Sequence, residues 1–176
     1  MEPAAGGDEP RLIRIDHDPV TAAAAEVVRR RAVRAVVRRG DLLLMVHPPV
    51  AGDYKFPGGG VEPGESAHQA LAREVAEECG CAVTTVGSVI LRVVETRQAL
   101  EPGAMFRMES SYYACDVSDE VHDPRLDDYE RELAFAPSWV GIDNAIETNQ
   151  RVLASGSART WVTRETRVLR ALRNAH

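Results

Sequence analysis

A chain of 176 residues is long enough for one well-filled domain and short for two, so a single domain is the starting expectation. Its composition, 44% hydrophobic and 27% charged, is that of a globular protein and excludes a disordered or fibrous one. With 21 basic against 27 acidic residues the net charge is −6, which argues against long nucleic acid as a partner, because a phosphate backbone calls for a basic face.

No stretch is apolar enough to span a membrane, and the opening MEPAAGGDEP lacks the basic and apolar regions of a signal peptide. The chain therefore reads as cytoplasmic, with no membrane partner. Its three cysteines, Cys79, Cys81 and Cys115, contain no CxxC pair, so neither a disulfide framework nor a zinc site is favoured. His47, His68 and His122 show no ligand spacing and receive no role.

Residues 1–10 read as a disordered tail and residues 11–176 as the domain. Residues 11–15 alternate enough for a short strand, and residues 22–31, AAAAEVVRRR, suggest a helical turn. From Ala32 the pattern sharpens. AVRAVVR, then Gly40-Asp41, then LLLMVH predict a strand, a tight turn and a more apolar strand. Residues 48–54 form a loop that delivers the extended stretch KFPGGG.

The next element carries the chemistry. Ser66 followed by Gln69 predicts a capping box, and Gly80 supplies a stop, which gives a helix of about four turns. Ala67, Ala70, Leu71 and Val75 define its apolar stripe, yet Glu74 and Glu78 project into the middle of that stripe and Glu77 onto its edge. Gln69 and Arg73 fall on the outer face instead. Burying unpaired carboxylates costs several kcal/mol, and like charges one turn apart repel, so a positive charge must compensate. Oxygen ligands at this spacing suit Mg2+ or Mn2+, which keep several waters and take further ligands from a phosphate substrate. The rival reading, an ordinary helix with a solvated acidic face, explains neither the inward charges nor the preceding glycines.

Residues 86–97 and 105–117 predict a pair of antiparallel strands around a turn at Glu101-Pro102-Gly103. Residues 116–132 are strongly acidic without a strand period and predict a mobile loop. A short strand at residues 138–140 and a short helix at residues 143–149 follow. The last helix, residues 159–173, sets Trp161, Val168, Leu169 and Leu172 on its core face, Trp161 closing the core, and Arg159, Arg167, Arg170 and Arg173 outside. Together these elements predict an α/β fold, a mixed β-sheet sandwiched between α-helices.

Gly59, Glu65, Arg73, Glu74, Val75, Glu77, Glu78, Gly80 and Cys81 resemble, position for position, the Nudix box G-x5-E-x7-R-E-U-x-E-E-x-G-U, where U is a bulky aliphatic residue. Cys81 is the one departure, a small hydrophobe at a structural position. The stretches YKFPGGG, ESSYY, ELAFAPSWV and WVTRET are similar to a bacterial Nudix subgroup of undefined substrate, so the resemblance covers residues 30–173. It implies a metal-dependent hydrolase that cleaves the pyrophosphate linkage of a nucleoside diphosphate joined to another moiety: a nucleoside triphosphate, a nucleotide sugar or a dinucleotide.

Carried over residue by residue, the resemblance makes Glu74 and Glu78 the principal ligands of Mg2+ or Mn2+. Glu77 would hold a further ion or orient water, and the Gly58 carbonyl would complete the coordination. Arg73 and Glu65 would brace the carboxylates and the loop. The general base comes either from the box helix or from Glu132, with Glu109 as runner-up, and a solvated carboxylate is the ordinary role of either residue. Tyr54 and Phe56 are candidates to stack a base, against an ordinary role in the core, and Lys55 and Arg107 are candidates to meet phosphate. Two rivals remain: a Nudix-fold module that binds a nucleotide without cleaving it, and a same-fold isomerase or RNA end-processing enzyme. Intact Glu74, Glu77 and Glu78 argue against the first, and acidity and the lack of the isomerase's extra Cys and Glu against the second. The sequence leaves a homodimer open.

Overall fold

The computed structural model describes residues 9–18, 26–49, 51–126, 131–132, 134–156 and 159–175. Strands β1 (Arg11–Asp16), β2 (Glu26–Arg39) and β3 (Leu42–His47) precede helix α1 (Ala67–Cys79), and β4 (Cys81–Gln98), β5 (Ala104–Val121) and β6 (Ala136–Gly141) follow it. Helices α2 (Ile142–Ala154) and α3 (Thr160–Arg173) complete the described elements. The six strands form a mixed sheet in the order β1-β4-β5-β2-β3-β6. Pairing is parallel for β1 with β4 and β2 with β5, and antiparallel elsewhere.

The sheet is covered on both faces. Side chains alternate along β2, so Val33, Ala35 and Val37 join Leu44 and Val46 against Ala70, Leu71 and Val75 of α1. On the opposite face Val36, Leu43, Met45, Leu91, Val93 and Tyr112 pack on Ala145 and Ile146 of α2 and on Val168 and Leu169 of α3. This is the expected sandwich. Helix α1 begins and ends as its sequence predicts: Ser66 Oγ accepts from the Gln69 N–H at 3.2 Å, Gln69 Oε1 accepts from the Ser66 N–H at 2.9 Å, and Gly80 takes the left-handed conformation at φ 69°.

The pairing of β2 with β3 is short, only Arg38 with Leu43 and Arg39 with Leu42. Beyond it the two strands part, and the segment Lys55–Val61 fills the gap. Val46 and Lys55 exchange both backbone hydrogen bonds, at 2.8 and 3.0 Å, which ties the segment to β3. The N–H groups of Ala35 and Val33 donate to the carbonyls of Pro57 and Gly59 at 2.8 and 3.0 Å, and Val61 N–H donates to Arg31 O at 3.0 Å, which ties it to β2.

Several expectations are corrected. Residues 26–31 form no helical turn but the start of β2, in parallel register from Glu26 opposite Ala104 to Arg31 opposite Glu109. A ready partner strand and the β-branched pair Val27-Val28 outweigh the helical preference of the alanines before them. Residues 116–121 are no mobile loop either: β5 continues through them, with Asp116 opposite Thr85 and Val117 opposite Val83. The rest of that stretch includes residues 127–130, which lie outside the described residues, as do residues 1–8 of the expected tail. Trp161 does not close the core. It is half-buried and its indole N–H donates to Asp53 Oδ2 at 2.6 Å.

Helix α3 also buries charges that its amphipathic pattern does not announce. Arg164 donates to Glu95 Oε2 on β4 at 2.8 Å and to its neighbour Glu165 at 2.8 Å, all three being buried. Glu165 in turn accepts a long contact from Tyr112 Oη at 3.4 Å and another from the Phe56 N–H at 3.5 Å. This network links β4, β5 and α3 to the start of the glycine segment. Removing one partner of a buried ion pair leaves an uncompensated charge, so Glu165→Ala is expected to destabilise the fold by about 3–5 kcal/mol. Guanidinium unfolding with an unchanged m-value and a lowered midpoint is the expected reading.

Candidate functional site

Where β2 and β3 part, the glycine segment meets α1. Gly58 lies at φ 133°, and a Cβ there would sit 2.2 Å from the Val33 carbonyl oxygen, so only glycine lets the segment approach β2 this closely. Gly59 clears room for a different group: a Cβ there would lie 2.3 Å from Glu74 Oε1. The carboxylate of Glu74 therefore rests on the glycine backbone itself.

Glu78, only 1% exposed, is held by two donors. The Gly58 N–H reaches its Oε2 at 2.7 Å, and Lys55 Nζ reaches its Oε1 at 2.6 Å. Lys55 also stands over the ring of Phe135 at 4.1 Å, so the lead-in to β6 ends beside this ion pair. Arg73 clamps the remaining carboxylates. It grips Glu65 with two bonds at 3.0 Å, donates to Glu74 at 2.9 Å and to Glu77 at 3.2 Å, and reaches the Gly60 carbonyl at 3.1 Å. These bonds hold the Glu65 carboxyl below its usual range, the Arg73 contact being the chief cause. Burial, followed by repulsion from Glu78, pushes the Glu74 carboxyl above its own.

Among the described residues no three His, Cys, Asp or Glu side chains converge into a ready-made metal cage. The donors present fit a different kind of site. Mg2+ is ordinarily bound through one or two carboxylates, with water and substrate phosphate completing its shell, and does not need an all-protein cage. Glu78 is buried and Glu74 half-buried, and the two lie close enough to repel each other. Between the Pro57 and Gly59 carbonyls, both taken by β2, the Gly58 carbonyl accepts no hydrogen bond from the described residues. The internal ammonium of Lys55 marks the place where a cation compensates Glu78.

The other residues singled out from the sequence are distributed as follows. Glu77 is 38% exposed and bent toward Arg73. Glu132 is exposed and helical, four positions before β6, with no hydrogen-bond partner among the described residues. Glu109 lies exposed on β5 and pairs with Arg107 at 2.8 Å. Tyr54 stacks on His47 at 4.5 Å, its backbone bracketed by Asn149. Phe56, at 0% exposure, packs edge-on to Tyr112 and so presents no face on which a base can stack. Sequence reasoning passed over Arg34, an arginine between Ala32 and Val36 on the core-facing side of an apolar strand. That misplaced charge was the available signal.

The site is thus part of an α/β sandwich in which one helix presents two carboxylates to a glycine-rich turn. Residues 28–161 match the sequence family described as NUDIX domain, and the chain belongs to that family. A 56-residue stretch is 43% identical to the CTP pyrophosphohydrolase of Escherichia coli (strain K12), covering 30% of this chain and 42% of that protein. The chain thus spans less than half the length of that relative. Among solved structures, the E. coli ORF135 protein is similar over 68% of this chain and 79% of its own, at 25% identity and a TM-score of 0.48. A NUDIX hydrolase from Nitrosomonas europaea covers 70% and 79%, at 22% identity and a TM-score of 0.48.

The raised Glu74 carboxyl has a pH signature. The folded state binds this proton more tightly than the unfolded chain, so its contribution is present at low pH and lost as pH rises through the raised value. Glu74→Gln in excess chelator is therefore expected to gain stability over the wild type progressively as pH climbs past the ordinary carboxylate range. Paired thermal melts across pH check this; a difference that stays flat, or a variant less stable at neutral pH, is the contrary outcome.

Proposed function

We propose that the protein is a Mg2+- or Mn2+-dependent Nudix pyrophosphohydrolase acting on a nucleoside diphosphate linked to another moiety. The observation that carries the reading is the pair of carboxylates, Glu78 buried and Glu74 half-buried beside it, laid against the Gly58-Gly59 backbone. Glu74, Glu78 and the Gly58 carbonyl would hold the ion, and Glu77 would hold a second or orient water. Bound there, the metal would neutralise the pyrophosphate oxygens and lower the pKa of an attacking water. The name of the 43% identical relative, a CTP pyrophosphohydrolase, supports a nucleoside triphosphate as substrate.

The chain's own groups do the positioning. Arg73 holds Glu65, Glu74 and Glu77 in fixed relation, so the ligand side chains need little reorganisation on binding. Lys55, released from Glu78 when a cation takes over its neutralisation, is left close enough to meet a phosphate oxygen. Tyr54 and Arg107 are kept as proposed substrate contacts, Tyr54 for a base and Arg107 for phosphate. Glu132 is the proposed general base: it is an exposed carboxylate three positions before Phe135, the residue over whose ring Lys55 stands. Residues 11–176 are proposed to act as one domain, since β1 pairs with β4 and α3 seals the core that the site rests on.

The direct test is released phosphate from a panel of nucleoside triphosphates, nucleotide sugars and dinucleotides, with Mg2+ or Mn2+ and with excess chelator. Glu78→Gln is expected to lower turnover by roughly a thousandfold or more while the protein stays folded. Undiminished turnover in chelator overturns the metal-dependent reading.

A separate experiment addresses the base. Glu132→Gln is expected to reduce kcat strongly and leave KM nearly unchanged, because a base acts in the transition state. Retained turnover in Glu132→Gln, together with its loss in Glu77→Gln or Glu109→Gln, moves the base to α1 or β5.

A further inference from the structure

On the sheet face that α3 covers, the first turn of that helix leaves a cleft of about 220 Å³ whose rim includes Gly59 and Gly60. Four arginines line it, Arg30, Arg34, Arg97 and Arg164, against the single carboxylate of Glu95. Two of the four are already engaged. Arg164 is neutralised by Glu95 and Glu165, and Arg97 lies over the Phe106 ring at 4.3 Å and donates to the Gln98 carbonyl at 3.1 Å.

Arg30 and Arg34 are different. Neither has a hydrogen bond or ion pair among the described residues, and Arg34 is 8% exposed with a buried Nε that no acceptor meets. Burying an unpaired guanidinium is unfavourable, and such a group persists in a native core when something else supplies its acceptor. A planar fork of donors suits phosphate oxygens. The cleft is smaller than the roughly 300–1,000 Å³ that enclose a whole drug-sized ligand, so it takes one group of a larger molecule.

Two contacts connect the cleft with the carboxylate site. A Cβ at Gly60 would meet Arg30 Nη2 at 2.9 Å, so this glycine lets Arg30 lie against the same turn that carries Gly58 and Gly59. Arg34 lies within electrostatic reach of Glu74 and favours its ionised form. One wall of glycine backbone thus has carboxylates on one side and, on the other, two guanidinium groups without a hydrogen bond among the described residues.

Resting on the reading of the α1 site as one for pyrophosphate, we infer that the Arg30–Arg34 cleft binds a further phosphate of the same substrate. Substrates with an unbroken chain of three or more phosphates use both sides of the turn. Those whose pyrophosphate ends in a neutral sugar leave the cleft's cations unpaired.

The test is calorimetric titration of the full chain with inorganic tripolyphosphate in excess chelator at fixed ionic strength. Arg34→Met and Arg30→Met are each expected to weaken binding by about tenfold or more, equivalent to about 1.4 kcal/mol. Arg170→Met, which removes an equal charge from the outer face of α3, is expected to leave binding unchanged. Arg34→Met should also melt no lower than the wild type, since it removes a buried donor without a partner, whereas a purely structural arginine would lower the melting temperature. The inference is overturned if the wild type does not bind tripolyphosphate, if all three variants weaken it equally, or if exposed Arg30→Met keeps wild-type affinity. No metal is present and no bond is cleaved in this titration, so its outcome is independent of whether the α1 carboxylates support hydrolysis, which the chelator-sensitive turnover assay reads separately.

Discussion

The insertion of residues 55–61 between β2 and β3 is the constraint on which the site depends. Two strands of a hairpin would ordinarily stay paired along their length, but here they separate after two residue pairs, and the exposed backbone edges need partners. The glycine segment supplies them on both sides. That substitution requires a backbone approach no side chain tolerates, with the Val33 carbonyl where a Gly58 Cβ would be. The alternate peptide groups of the segment then point at α1, which is how the Gly58 N–H comes to meet Glu78.

Charge balance around α1 follows from that geometry. Laying two carboxylates against this turn is unfavourable unless cations accompany them, and among the described residues two cations of contrasting character hydrogen-bond to them. Arg73 is fixed by five hydrogen bonds and acts as a brace. Among the described residues the Lys55 ammonium makes one hydrogen bond, to Glu78, and otherwise lies over the Phe135 ring at the end of a flexible stem. The rigid cation preserves the relative positions of the carboxylates, while the flexible one can give way to a divalent ion in the proposed reaction. The acidity of the chain as a whole is thereby compatible with the proposed anionic substrate, because the local field at the turn includes Arg30, Arg34 and Lys55 and would include the ion proposed to bind there.

Behind the turn, the network of Arg164, Glu165, Glu95 and Tyr112 fixes where α3 lies relative to the sheet. A hydrophobic contact alone would tolerate sliding of the helix, whereas paired buried charges admit one register. Its far end reaches the Phe56 N–H, so the position of α3 and the position of the glycine segment are coupled. Asn149 of α2 does the same for Tyr54 through two backbone bonds. Two helices on the face away from α1 therefore hold the entry to the site.

The local code for α1 was legible in the sequence: the capping box, the αL glycine, the apolar stripe and the inward glutamates are nearest-neighbour properties of one helix, and each reappears at the predicted residue. The mixed sheet between helices was legible for the same reason, through runs of β-branched residues punctuated by turns. Features that depend on a distant partner were not. Residues 26–31 became strand only because β5 lies alongside, and Trp161 left the core because Asp53 offers an acceptor 108 positions earlier. Arg34, Arg164 and Glu165 read as ordinary charges until the fold buries them together or leaves them without partners. Sequence determines which groups a segment carries and which way it alternates; which carboxylate meets which cation is decided by strands and helices that are remote in the chain, since Coulomb attraction and desolvation depend on distance in space alone.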